Sequence, residues 1–152
     1  MDNIPLYRRR KHGQEQSTYI HPSLDSVLAE TYGVIVYQEQ VMKIGVEIAG
    51  FSMGEADLLR RAISKKDRSI LNEERIHFTE SAVSKGFPES AAIEVYDLIV
   101  KFAEYGFPKS HAVAYSLISY RLAYLKANEP AYFYAALLST TTGNNDKTVE
   151  LI

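Results

Sequence analysis

The stretch Glu104 to Lys126 reads Glu-Tyr-Gly-Phe-Pro-Lys-Ser-His-Ala-Val-Ala-Tyr-Ser-Leu-Ile-Ser-Tyr-Arg-Leu-Ala-Tyr-Leu-Lys. Gly106 tolerates positive φ and Pro108 fixes its own φ, so Tyr105–Lys109 reads as a turn that stops a preceding helix. Ser110 is a natural N-cap, and no breaker follows until Pro130. The helix so defined is apolar almost all round, with Ala112, Val113, Ala114, Leu117, Ile118, Leu122, Ala123 and Leu125. Helices with so little polar face are ordinarily enclosed by other helices. The sequence therefore predicts a mainly α domain of six to seven helices around a buried central helix at 110–126. Lys109, Ser110 and His111 gather at its start, with Tyr115 one turn on. Unpaired N–H groups and the positive dipole end lie there too, which predicts a tip suited to an anion.

Working back toward the N-terminus, Pro88 suits the first turn of a helix whose Ala92, Val95, Tyr96, Ile99, Phe102 and Ala103 form an apolar stripe. Asp67–Lys85 reads as a helix with Leu71, Phe78 and Ala82 inward and Gly86 as its stop. Ser52-Met53-Gly54-Glu55 is a capping box, opening a helix with Ala56, Leu59, Ala62 and Ile63 on its buried side. Gln38–Ala49 is helical, with Val41, Ile44, Gly45 and Ile48 in register and Gly50 ending it. Val34–Tyr37 is either a brief strand or an apolar lead-in to that helix. A short helix follows Ser23 and closes at Tyr32-Gly33. Residues 1–20 show no helical period and read as an extended segment. Beyond the central helix, Pro130 restarts a last apolar helix. The domain map is an extended segment at 1–20, a helical domain at 21–139, and at 140–152 a linker with the start of a further element.

The 152 residues suffice for one domain with a real core. Cysteine is absent, which excludes disulfides and thiolate metal sites and favours a cytoplasmic setting; no apolar run is long enough for a membrane span. The net charge is −2, but its distribution is uneven. Arg8-Arg9-Arg10-Lys11 is a pure basic run, and Arg60, Arg61, Lys65, Lys66 and Arg68 cluster around Asp67 alone. Local basic clusters in a near-neutral chain point to anionic partners at defined places.

Paired guanidinium forks at Arg60 and Arg61 suit a polyphosphate. The competing reading is a solvated basic edge in which Asp57 pairs Arg61 at i,i+4. His111 and Tyr115, four apart, present either a donor and a flat ring to a nucleobase or a hydrogen-bonded core pair. Lys109 is a phosphate contact or a surface lysine, and Arg8 to Lys11 is a nucleic-acid grip or a solvated run. The sequence has no Asp-x-Asp, no His-x-x-x-His, no Gly-x-x-x-x-Gly-Lys and no Gly-x-Ser-x-Gly. It reads as a substrate-gripping part without a chemical centre.

Three motifs resemble the fingers region of bacterial replicative DNA polymerase III alpha subunits, the DnaE type. They are Tyr32-Gly33-Val34-Ile35-Val36-Tyr37-Gln38-Glu39-Gln40-Val41-Met42, Gly54-Glu55-Ala56-Asp57-Leu58-Leu59-Arg60-Arg61-Ala62 and Tyr105-Gly106-Phe107-Pro108-Lys109-Ser110-His111-Ala112. Pro108 departs from the Asn common in the family and is expected to stiffen the turn. The resemblance implies a template-directed DNA polymerase that uses dNTPs and two Mg²⁺ ions, the metals held by palm carboxylates that this chain lacks. It implies primer-template DNA, the remaining polymerase domains, the sliding clamp and the replisome as partners, and a fragment inactive alone. Carried over by motif, Arg60 and Arg61 meet the triphosphate, and His111 with Tyr115 the nucleotide side of the pocket. Lys109 is a further dNTP contact, while Arg8, Arg9, Arg10, Lys11, Lys65 and Lys66 contact DNA. The alternatives are a helical single-stranded-DNA-binding module and a structural interaction domain.

Overall fold

The computed structural model describes residues 3–65, 68–103, 106–143, 146 and 149. Its helices start where side chains can take up unpaired N–H groups. Ser52 Oγ accepts the Glu55 N–H at 3.3 Å, and the Glu55 carboxylate accepts the Ser52 N–H at 2.8 Å, closing the expected capping box. Gln40 Oε1 reaches back to the N–H groups of Val36 and Tyr37 at 2.8 and 2.9 Å, opening the helix that follows. Among the described residues there are eight α-helices: α1 Ile4–Lys11, α2 Asp25–Leu28, α3 Gln38–Ala49, α4 Met53–Lys65, α5 Arg68–Ser84, α6 Glu89–Ala103, α7 Lys109–Asn128 and α8 Pro130–Thr140. There is no sheet among them; Tyr37 and Phe107 form one isolated parallel bridge. Val34–Tyr37 is thus neither strand nor helix.

The chain divides into two compact units, 1–109 and 110–152. In the first, α3 is the centre, packing on α2, α4, α5 and α6. Its Val41, Ile44, Ile48 and Ala49 meet Leu59 and Ile63 of α4, Phe78 and Ala82 of α5, and Ala92, Val95, Tyr96 and Ile99 of α6 in one buried cluster. Phe78 is fully buried, edge-on to Phe51 and tilted against Tyr96. The Tyr96 hydroxyl donates to the Leu71 carbonyl at 2.7 Å, and burial pushes its pKa up to about 12.

Two expectations are corrected here. The helix at 110–126 is not a buried centre: α7 has no buried residue, and Val113, Leu117, Ile118, Leu122 and Leu125 are all exposed. A helix apolar on every side has no stripe to direct it, whereas the narrower stripe of α3 finds its complement in this chain. Residues 4–11, expected as extended, form α1. Pro5 pre-sets the first turn of α1, and Arg8–Lys11 complement the dipole at its end. Its apolar contact comes through Leu6 and Tyr7, the latter edge-on to Tyr32, too few residues to set up a period.

α1 is fastened by polar contacts. The Arg10 side chain, 8% exposed, donates to the Tyr32 carbonyl at 3.1 Å and to Thr18 Oγ1 at 2.8 Å, and pairs with Glu15. Tyr32 and Gly33 both have positive φ, 55° and 78°. A Cβ on Gly33 would lie 2.8 Å from the Thr18 carbonyl oxygen and 3.0 Å from Arg10 Nη1, so only glycine fits.

Candidate functional site

α3 begins with three long polar residues in a row, and each ties down a different neighbour. Gln40, 5% exposed, donates to Thr31 Oγ1 at 2.7 Å. Glu39 accepts the backbone N–H of Lys109 on both carboxylate oxygens, at 3.1 and 3.0 Å. Gln38 donates Nε2–H to the Gly106 carbonyl at 2.9 Å and accepts from Arg60 Nη1 at 3.2 Å. The backbones join as well: Gln38 N–H donates to the Phe107 carbonyl and Phe107 N–H to that of Val36. Residues of the Tyr32–Met42 and Gly54–Ala62 motifs therefore meet Gly106, Phe107 and Lys109 around Gln38.

Gly106 suits a close approach rather than a positive φ. Its φ is not in the left-handed region, but a Cβ there would stand 3.1 Å from Gln38 Cγ. α6 ends before Gly106 as expected, but positive φ at Gly106 is not the reason.

The arginine pair shares one carboxylate. Arg60 donates Nε–H and Nη2–H to Asp57 Oδ1 at 2.9 and 2.7 Å, while Arg61 Nε meets Oδ2 at 2.8 Å. The Asp57 pKa is lowered, mainly by the hydrogen bond from Arg60. The Arg60 side chain is 26% exposed and that of Arg61 64%. Arg60 is thus held from two sides, and Arg61 projects.

Lys109 is already matched by acids. Its Nζ pairs with both oxygens of Glu30 at 2.6 and 2.7 Å and lies 5.5 Å from the Tyr37 ring centroid. Glu30 raises its pKa. The leading N–H of α7 that was expected to face an outside anion instead meets Glu39. His111 and Tyr115 stand ring against ring on α7, centroids 4.3 Å apart, with Tyr115 exposed. In the N-terminal run, Arg10 is spent inside the fold and Arg9 pairs with Glu15 at 2.9 Å, while Arg8 and Lys11 are exposed. Lys65 is exposed near the end of α4, and Lys66 lies outside the described residues.

The family model for the bacterial DNA polymerase III alpha subunit finger domain matches residues 1–86. The chain belongs to this family. It is 59% identical over 147 residues to the DNA polymerase III subunit alpha of Bacillus subtilis (strain 168), covering 97% of this chain and 13% of that one. It is 52% identical over 152 residues to the corresponding subunit of Staphylococcus epidermidis (strain ATCC 12228 / FDA PCI 1200), and 50% identical over 152 residues to that of Staphylococcus aureus (strain Mu50 / ATCC 700699). Both cover 100% of this chain and 14% of the relative. The chain thus spans 13–14% of the length of these relatives.

Within this finger domain, the described residues include no group of three or more His, Asp or Glu side chains that could hold a metal ion. No helix among the described residues is long and apolar enough to cross a membrane. The side chains that fix the arginine pair and the turn, Gln38, Glu39, Glu30 and Asp57, were not singled out as site residues from the sequence. The available signal was the Gln-Glu-Gln run at the head of an otherwise apolar helix.

Proposed function

We propose that this chain serves as the fingers of a template-directed DNA polymerase, gripping the triphosphate of an incoming dNTP with Arg60 and Arg61. The observation that carries this reading is the Asp57–Arg60–Gln38–Gly106 chain of hydrogen bonds, which joins residues of the first two motifs to Gly106 and leaves Arg61 projecting beside it. A guanidinium held from two sides meets a phosphate with little left to reorganise, and a neighbouring fork supplies a second contact as charge shifts during phosphoryl transfer. His111 and Tyr115 offer a donor and a ring to the nucleotide. Lys109 is ion-paired with Glu30 through both carboxylate oxygens, so its place is a secondary one. Arg8, Lys11, Lys65 and Lys66 are the DNA contacts in this reading, with Arg9 and Arg10 reduced to holding the fold. The two Mg²⁺ ions belong to palm carboxylates outside this chain, and the piece alone incorporates no nucleotide. The whole enzyme works in the cytoplasm with primer-template DNA, its other domains, the sliding clamp and the replisome.

The test is single-nucleotide incorporation by the full-length polymerase at saturating primer-template, titrated with dNTP. Arg61→Ala lowers efficiency about 30- to 1,000-fold, and Arg61→Lys restores part of it, keeping the charge but losing the fork. Unchanged dNTP dependence in Arg60→Ala, Arg61→Ala and Arg61→Lys refutes the grip. Weaker DNA affinity with dNTP dependence intact would instead identify a binding module.

A further inference from the structure

We infer that Gln38 is a positioning residue, setting the Arg60 guanidinium against the Gly106–Lys109 turn; this rests on the phosphate-grip reading above. Its amide is asymmetric, and both ends are used. Oε1 accepts from Arg60 Nη1 at 3.2 Å, and Nε2 donates to the Gly106 carbonyl at 2.9 Å. A guanidinium only donates and a carbonyl only accepts, so one amide orientation satisfies both and the flipped one satisfies neither. The stem is confined as well, since a Cβ on Gly106 would stand 3.1 Å from Gln38 Cγ, tighter than an ordinary contact. The backbone bond from Gln38 N–H to the Phe107 carbonyl fixes its base.

Asp57 lies on the same helix as Arg60, three residues before it. Gln38 ties the other edge of the guanidinium to a second element, so the fork keeps one direction relative to the turn. Gln38 itself has no charge to offer a phosphate. Its effect reaches dNTP through Arg60, by removing rotational freedom that binding would otherwise have to freeze.

The experiment uses the full-length polymerase with Gln38→Met and Gln38→Glu, each alone and combined with Arg60→Ala. Rapid-quench incorporation gives the dNTP concentration dependence, and the burst amplitude counts active enzyme. Gln38→Met is expected to lower efficiency about 10-fold with the burst amplitude retained. Gln38→Glu, which keeps an acceptor for Arg60, loses less and serves where the methionine variant folds poorly. In the Arg60→Ala background both further losses shrink to less than about 2-fold, because the residue acted through Arg60. Wild-type dNTP dependence in both Gln38 variants, with Arg60→Ala impaired, overturns the positioning role and leaves the grip standing. A fall in burst amplitude alone, or full additivity with Arg60→Ala, also overturns it. A normal Arg60→Ala enzyme removes the grip reading and this inference together.

Discussion

α3 and α7 are both rich in apolar side chains, yet they have opposite surroundings. α3 confines its apolar residues to one side, and buries Val41, Ile44, Gly45, Ile48 and Ala49 there. α7 spreads them around its whole circumference and buries none. The difference separates two things that apolarity is often taken to report together. Total apolar content says that a helix gains from being covered; only a stripe says which neighbours cover it. α4, α5 and α6 supply apolar faces complementary to α3 within its own unit, and the unit built from them has a single continuous core.

The comparison breaks most readily at Phe78. It is fully buried between Phe51 and Tyr96, so Phe78→Ala should cost about 3–5 kcal/mol in urea unfolding of the 152-residue chain. A loss under about 1 kcal/mol would mean that the core around α3 is loose. Gly33→Ala comes next, at about 1–3 kcal/mol, because it places a Cβ at positive φ against the Thr18 carbonyl. Unchanged melting there would show that the strap from α1 through Arg10 to Tyr32 contributes nothing to stability.

Ser52→Ala removes the α4 cap and should cost about 1 kcal/mol at neutral pH. The Glu55 pKa is lowered, chiefly by its hydrogen bond from the Ser52 side chain. A group with a depressed folded pKa stabilises above its unfolded value, and that contribution disappears as pH falls through the folded one. The difference between wild type and Ser52→Ala should therefore narrow on acidification below the ordinary carboxylate range. A gap that holds constant down to strongly acid pH would detach Glu55 from the cap.

The smallest effect is predicted on α7. Leu117 is 50% exposed, so Leu117→Ala should shift stability of this chain by less than about 0.5 kcal/mol. A loss above about 2 kcal/mol would show that α7 is covered and would erase its contrast with α3.

Much of the fold was legible. The capping box at Ser52, the stripes of α3 and α6 and the prolines opening α6 and α8 are local signals, and the helices begin and end close to where they indicate. α1 was not legible, because it is held by Arg10 to Tyr32 and Thr18 rather than by a stripe. At the candidate site, the sequence pointed to Arg60 and Arg61 by charge and adjacency, but gave Gln38 no distinction beyond its place in a motif. Arg10 and Lys109 looked like cations awaiting an anion, and each is already matched inside the fold.

Helix positions other than that of α1, the polymerase fingers family and the cationic candidates were set by sequence alone, since propensity, capping and motif spacing depend on residues within a turn or two of one another. Tertiary structure alone decided which charges are already paired and that Gly106 packs closely on the Gln38 side chain. Gln38 and Gly106 are 68 positions apart, Glu30 and Lys109 79. A hydrogen bond or ion pair forms over about 3 Å of space whatever the separation along the chain, so those pairings exist only once the chain has folded.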